Sequence, residues 1–153
     1  MNSHALIFRS KGKLVLIPGY ATSEGTARFR DRFQERLPGH LREAQGLWLS
    51  SIGAGTYLGE PDERCDKLYT AAIRRAVESG VNVIDSAVNY RHQRSERSIG
   101  RALGGLISEG LIDRSELYLA TKGGFLTFDG AAPDNPSSYF YEQVIGAGLA
   151  RPE

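Results

Sequence analysis

Hydrophobic and polar positions of the N-terminal segment alternate in short blocks. Two apolar runs, residues 6–8 and 14–17, flank a basic stretch that contains Gly12. Apolar runs separated by a short charged segment with glycine are typical of a β-hairpin, and Pro18-Gly19 ends the second run. The pattern therefore predicts a hairpin over residues 5–17.

A helical spacing follows in residues 22–42, where Phe29, Phe33 and Leu37 recur every fourth residue. Pro38-Gly39 ends this predicted helix. Acidic residues are interleaved with the many arginines of the segment, so we interpret the arginines as a solvated helix face rather than as a basic binding patch.

Short apolar strands alternate with amphipathic helices in the middle of the chain. Strands are predicted over residues 47–52, 81–85 and 117–121. One helix begins after Pro61-Asp62 and stops at Gly80, because proline and acidic residues favour a first turn and glycine favours a helix end. Its predicted apolar face combines two adjacent rows: Leu68, Ala72 and Ala76, and Tyr69, Ile73 and Val77.

The second predicted helix ends near Gly110, and its apolar stripe comprises Ile99, Ala102, Leu103, Leu106 and Ile107. The order strand–helix–strand–helix–strand predicts an α/β fold with a parallel sheet built from right-handed βαβ units. The composition of residues 123–138, rich in glycine, proline and aspartate, predicts a long loop, and residues 139–150 are predicted to form at most a weak helix. We therefore divide the chain into an N-terminal extension, residues 1–46, and an α/β unit, residues 47–153.

Composition limits the classes of partner. The 153 residues are 41% hydrophobic and 24% charged, which suits a single soluble domain. A formal net charge of +1 gives no electrostatic reason to expect nucleic acid or an anionic membrane as partner. The apolar run at 14–17 is too short for a signal sequence or a membrane span. Cys65 is the single cysteine and cannot form an internal disulfide, which favours a cytoplasmic location.

Three polar residues follow predicted strands. Asp85 ends the second strand, Tyr90 lies in the loop after it, and Lys122 follows the third strand. Functional sites of parallel α/β folds lie at the C-terminal ends of the strands, so we expect these side chains on one side of the sheet. Taken singly, each also has an ordinary structural interpretation as a cap, a packing residue or a solvated charge.

The sequence around Asp85 and Tyr90 resembles a family motif. Asp85-Ser86-Ala87-Val88-Asn89-Tyr90 resembles the Asp-(Thr/Ser)-Ala-x-x-Tyr motif of aldo-keto reductases in residue type and spacing. The resemblance extends over residues 47–124. Further segments resemble that family in the same order: a Gly-x-Gly-Thr segment at 52–57, a strand at 80–84, a Ser-Glu and Gly-x-Ala-Leu helix at 95–103, and a Thr-Lys strand end at 119–122.

The resemblance implies an incomplete (β/α)8 TIM barrel, of which this chain supplies the N-terminal strand–helix–strand–helix–strand portion. It also implies an oxidoreductase that reduces aldehydes or ketones to alcohols with NADPH, or alternatively NADH, and it implies no metal. Tyr90 would donate the proton, Lys122 would tune its acidity and Asp85 would hold the lysine in place. The nicotinamide side of the cofactor would be lined by Gly55, Thr56, Tyr57 and Asp85.

These residue types suit carbonyl reduction. Hydride addition to a carbonyl carbon builds negative charge on the oxygen, which a proton donor must meet. A free tyrosine, with a pKa of about 10, is a weak acid at neutral pH, and a nearby ammonium makes it a better one by favouring the phenolate. This is the role that the resemblance implies for Lys122 beside Tyr90.

Two features depart from the family pattern. Arg91-His92-Gln93-Arg94 lengthens the loop after Tyr90, where many members have glycine, so substrate contacts stay open. The family also uses a histidine at the end of the fourth strand, whereas the histidines here are His4, His40 and His92. We expect His92 to be a solvent-exposed loop residue. We expect the chain to be a fragment, inactive by itself, that ends before the family's catalytic histidine and phosphate-binding residues.

Other interpretations stay open. Gly53, Gly55 and Gly59, with Asp85 further on, imitate a Rossmann dinucleotide site, although the predicted helix does not begin on the glycines. A non-catalytic truncated remnant or protein-interaction fragment is a third interpretation. The expected partners are a small-molecule carbonyl substrate and a second chain bound through the open edge of the sheet, where a fourth strand would pair.

Overall fold

The structure is a computed structural model that describes residues 5–10 and 13–151. A 3₁₀ turn, Arg114–Glu116, precedes the last strand, and a π-helical turn, Tyr141–Ile145, follows the last helix. In chain order the strands and helices are β1 (Ala5–Ser10), β2 (Lys13–Pro18), α1 (Ser23–Phe33), β3 (Leu41–Ala44), β4 (Leu47–Ser50), β5 (Ala54–Gly55), α2 (Glu63–Glu78), β6 (Val83–Asp85), α3 (Arg94–Ser108), β7 (Tyr118–Ala120) and α4 (Pro136–Phe140).

Two antiparallel hairpins precede the parallel sheet. β1 pairs with β2, which confirms the predicted N-terminal hairpin, and Gly12 lies outside the described residues. β3 pairs with β4 through a turn at Gln45-Gly46, where φ is +51° and +77°. Positive φ at both central residues is typical of the turn type that joins two twisted antiparallel strands.

The parallel sheet has the strand order β5–β6–β7 and confirms the predicted α/β alternation. The prediction that residues 47–52 form the first strand of this sheet is wrong. Residues 47–50 form β4 of the second hairpin, and the first parallel strand, β5, begins only at Ala54. The backbone N–H of Ser50 is taken by Oδ1 of the buried Asn82, at 2.9 Å. That bond connects β4 of the hairpin to the residue just before β6 of the parallel sheet.

α2 begins and ends close to the predicted positions, and α3 ends close to its predicted end. The Asp62 side chain caps α2 by accepting a hydrogen bond from the Cys65 N–H at 2.7 Å. Gly80 follows α2 with a φ of +100°, a conformation that glycine adopts without strain. α3 spans the predicted second helix, and its buried side includes Ile99, Ala102, Leu103 and Leu106.

The buried face of α2 is narrower than predicted. Ile73 and Val77 are buried, whereas Leu68 is 59% exposed and Ala72 is also exposed. The row that contains Leu68 therefore does not belong to the buried face. The physical reason is the packing partner: α2 lies along α3, and only the stripe of Ile73 and Val77 reaches the shared core.

α1 is shorter than predicted and ends at Phe33, with turns in place of its predicted last part. Phe29 and Phe33 pack ring against ring, with centroids 4.9 Å apart. Both belong to the same core as residues of α2, α3 and β6, so the core continues across residue 46. The division into residues 1–46 and 47–153 stays a prediction.

The segment after β7 is a long loop over residues 121–135, as predicted, and α4 with its π-helical turn replaces the predicted weak helix. Side chains at the C-terminal end of this region contribute little to the core, since no residue of α4 is buried. Among residues 5–10 and 13–151, no helix is both long and apolar enough to cross a membrane.

Candidate active site

The ends of β6 and β7 bring Asp85 and Lys122 together. Asp85 is the last residue of β6, and the chain continues from it along β7, with the Ser86 N–H donating to the Ala120 carbonyl at 2.9 Å and the Val88 N–H to that of Lys122 at 3.0 Å. Lys122 Nζ donates to both carboxylate oxygens of Asp85, at 2.8 and 2.7 Å. The Asp85 side chain is 51% exposed and that of Lys122 is 48% exposed, so water screens this ion pair.

Tyr90 joins the pair from the loop after β6. Lys122 Nζ lies 5.2 Å from the centroid of the Tyr90 ring. The hydrogen bonds to Asp85 raise the pKa of Lys122 above its usual value, partial desolvation opposes this, and the neighbouring Tyr90 adds to the rise. The structure thus brings together Asp85, Tyr90 and Lys122, whose catalytic roles remain predictions.

Thr56 and Tyr57 border the same group from the end of β5. The Thr56 hydroxyl lies 3.1 Å from the Asp85 carbonyl oxygen and 3.0 Å from Ser86 Oγ. The Tyr57 ring meets the Tyr90 ring in an edge-on contact, with centroids 5.0 Å apart. Thr56 is buried, whereas Tyr57 is 66% exposed beside it.

Open space lies beside Asp85 at its strand neighbour Gly55. A Cβ added at Gly55 would meet no atom within 4 Å, whereas one at Gly53 would press on Val83 at 3.2 Å. Gly53 is therefore explained by strand packing, and Gly55 leaves room on the outer side of the sheet end. An exposed aromatic ring, a backbone without a side chain and a carboxylate therefore border this open space.

A buried cation, Arg91, is the residue that the sequence interpretation missed. It directly follows Tyr90, yet its side chain is only 1% exposed and bonds Asp66 Oδ1 on α2 at 2.8 Å. In the sequence, Arg91 is only one of several polar residues that lengthen the loop after Tyr90. The available signal was the helical spacing of Asp66 with Ile73 and Val77, which placed an acidic residue on the buried face of α2.

The described histidines, His40 and His92, contact residues other than Lys122. The prediction that His92 is a solvent-exposed loop residue is wrong, because it is half-buried and its ring packs against that of Phe128, 5.7 Å between centroids. His40 contacts Ser51 Oγ at 2.9 Å and the Gly80 carbonyl at 3.1 Å, and so ties the second hairpin to the end of α2. His4 lies outside the described residues.

The structure contradicts the Rossmann interpretation. In that fold the helix begins on the glycines, so that its N-terminal N–H groups meet the pyrophosphate. Here a loop that contains Tyr57 and Gly59 follows Gly55, and α2 begins only at Glu63. Among the described residues there is also no group of three or more His, Cys, Asp and Glu side chains arranged to hold a metal ion.

Comparisons with known proteins identify the family of the chain. The sequence model of the Aldo/keto reductase family matches residues 51–147, more than half of the chain. The chain is 36% identical over 75 residues to methylglyoxal reductase YeaE of Escherichia coli (strain K12), a match that covers 48% of this chain and 24% of that protein. The chain thus spans about a quarter of that relative's length. No solved structure matches it significantly. On the strength of the family match, the chain belongs to the aldo/keto reductase family.

Proposed function

We propose that the Asp85, Tyr90 and Lys122 group is the catalytic end of a nicotinamide-dependent carbonyl reductase that converts aldehydes and ketones to alcohols. The observation that carries this proposal is the position of Lys122 Nζ, which donates to both Asp85 oxygens and lies 5.2 Å from the Tyr90 ring centroid. An ammonium held in this way beside a phenol suits proton donation to a carbonyl oxygen.

In the proposed reaction, a bound reduced nicotinamide would supply the hydride that adds to the carbonyl carbon. The Tyr90 hydroxyl gives its proton to the carbonyl oxygen, so that one hydride and one proton yield the alcohol and leave a phenolate. Lys122 stabilises that phenolate by its positive charge. Asp85 keeps the ammonium in place and protonated, and solvent returns a proton to Tyr90 afterwards.

The nicotinamide end of the cofactor would lie against Gly55, Thr56 and Tyr57, with Asp85 nearby. Support comes from the open space at Gly55 and from the exposed Tyr57 ring at the end of β5. We propose NADPH as the cofactor, with NADH as the alternative. The substrate class is small aldehydes and ketones, and the similarity to a methylglyoxal reductase favours 2-oxoaldehydes among them.

We also propose that β5, β6 and β7 are the first strands of a (β/α)8 barrel. Among the described residues β7 pairs only with β6, which leaves its other edge free for a further strand. Such an edge favours association with another chain. The 153-residue chain alone should be a poor catalyst, because Asp85 and Lys122 are about half exposed. A solvent-exposed ion pair stabilises the negative charge that develops in the transition state only weakly.

A chimera tests the proposed function. Residues 51–147 of this chain replace the corresponding segment of the E. coli relative, and NADPH consumption is followed with methylglyoxal and with a panel of aldehydes and ketones. Turnover by a folded, monodisperse chimera is expected. A folded chimera that binds NADPH but reduces none of these carbonyls would contradict the assignment. The isolated chain, assayed in parallel, should show little turnover.

A further inference from the structure

The loop after Tyr90 is held in an unusual backbone conformation. Arg91, His92 and Gln93 have φ values of +47°, +54° and +71°. Residues with side chains rarely adopt the left-handed region, and three in succession accumulate strain. Such a segment persists only where its surroundings impose it. The direction in which the chain leaves Tyr90 therefore depends on contacts made by these three residues.

Arg91 supplies the dominant contacts. Its guanidinium donates to Asp66 Oδ1 at 2.8 Å, to Ser95 Oγ at 3.2 Å and to Ser98 Oγ at 3.3 Å, and it stacks over the Tyr69 ring at 4.5 Å. Asp66 and Tyr69 belong to α2, and both serines belong to α3. Since the Arg91 side chain is 1% exposed and that of Asp66 is 11% exposed, this ion pair is shielded from water.

The same contacts reach the candidate active site through Ser95. Its hydroxyl, which accepts from Arg91, donates to the Thr56 carbonyl at 2.7 Å. Its backbone N–H donates to the Tyr90 carbonyl at 3.4 Å. A single residue, Ser95, therefore connects Arg91 to both the Thr56 backbone and the Tyr90 backbone.

We propose that Asp66 and Arg91 are positioning residues: their buried ion pair imposes the left-handed turn at residues 91–93 and thereby directs the Tyr90 ring toward Lys122. This rests on the proposed function for its importance to catalysis, since Tyr90 is the proposed proton donor. The positioning itself is a structural property and is measurable without turnover.

The test uses nuclear Overhauser effects in the isotopically labelled 153-residue chain. In the wild type, contacts are expected between the Tyr90 ring and the Lys122 ε-methylene and between the Tyr90 and Tyr57 rings. Asp66→Asn keeps the shape of the side chain and removes its charge. We expect it to abolish both contacts while the core signals of Ile73 persist.

The matched control is Glu116→Gln, which removes a carboxylate of similar burial. Glu116 is 5% exposed at its side chain and bonds Arg32 at 2.6 Å, at the end of β7 opposite to Lys122. We expect this variant to lose stability and to keep both Tyr90 contacts. If it abolishes them as Asp66→Asn does, general loosening explains the loss and the proposal is overturned.

Asp66 also pairs with Arg94 at 3.0 Å and Arg101 at 3.4 Å, whose side chains are partly exposed and remain solvated without it. If Asp66→Asn fails to fold, the double variant Asp66→Asn with Arg91→Met is used instead, because it removes the buried arginine charge together with its carboxylate. In whichever variant folds, retention of both Tyr90 contacts would overturn the proposal, and their loss would support it. Because no activity enters this readout, inactivity of the Tyr90 site in the chimera would refute the proposed function and leave the positioning result unaffected.

Discussion

Lys122 and Asp85 form a two-pronged contact across the ends of adjacent parallel strands, with Nζ 2.8 and 2.7 Å from the two carboxylate oxygens. The contact is possible because β6 and β7 run parallel and both end at the same edge of the sheet. Parallel strands lie about 5 Å apart, which a lysine side chain spans easily. The pair therefore follows from the sheet topology as much as from the two residue types.

Lys122 should remain protonated to a higher pH than an isolated lysine. Hydrogen bonding to Asp85 raises its pKa above the usual 10.5. A raised pKa means that the folded state binds the proton more tightly, so the contribution to stability is present below pH 10.5 and is lost as the pH rises through the folded-state pKa. NMR titration of the Lys122 ε-methylene should show this, and Asp85→Asn should lower the midpoint.

The control for this titration is Glu63→Gln, which breaks the exposed Lys67–Glu63 pair on α2 and should leave the Lys122 midpoint unchanged. An unchanged midpoint in Asp85→Asn would mean that the carboxylate does not govern the protonation of Lys122.

Asn82 should be a large contributor to stability. Its buried side chain accepts from the Ser50 N–H at 2.9 Å and donates to the carbonyls of Trp48 at 2.8 Å and Glu116 at 3.2 Å. Asn82→Ala leaves these backbone groups without partners, which should lower the free energy of unfolding by about 2–3 kcal/mol. Denaturant unfolding measures the change.

Asn89→Ala is the matched control, because the Asn89 side chain has no hydrogen bond within the described part of the chain. A loss in Asn82→Ala no larger than that in Asn89→Ala would show that the hairpin is not held to the sheet through Asn82.

The free edge of β7 should mediate self-association. Tyr118 donates to Asn82 and Ala120 accepts from Ser86, so the backbone groups of the intervening Leu119 face away from β6. Leu119→Pro removes the outward N–H and blocks strand pairing at this edge. Sedimentation should show association that grows with concentration in the wild type and is reduced in Leu119→Pro.

Leu119→Ala controls for the lost side chain and should associate as the wild type does. Equal association in wild type and Leu119→Pro, or a wild type that stays monomeric at high concentration, would exclude this edge as the contact surface.

Local signals were sufficient for much of the fold. The positions of Asp62 and Gly80 predicted where α2 begins and ends, and the residues from Asp85 to Tyr90 follow the second parallel strand as predicted. These features depend on neighbours in sequence, which a single sequence displays directly.

Contacts between distant segments were beyond the sequence. β4 was taken for the first parallel strand because its partner β3 carries Arg42 and Glu43, which hide the pairing. The sequence places Arg91 in a basic loop, whereas its side chain is buried against Asp66 of α2. Both errors have the same cause, because the burial of a polar residue depends on the distant segments that pack against it in the folded protein.

The central claim is that Tyr90 donates the proton in carbonyl reduction. Tyr90→Phe removes the hydroxyl and almost no volume, and general acid catalysis contributes roughly 10²- to 10⁴-fold. In the chimera, kcat for methylglyoxal should therefore fall by about that factor while NADPH affinity is unchanged. Tyr118→Phe, a change of the same kind on β7, should leave kcat as it was. A Tyr90→Phe chimera that keeps the parental kcat would contradict the account, because another group would then supply the proton.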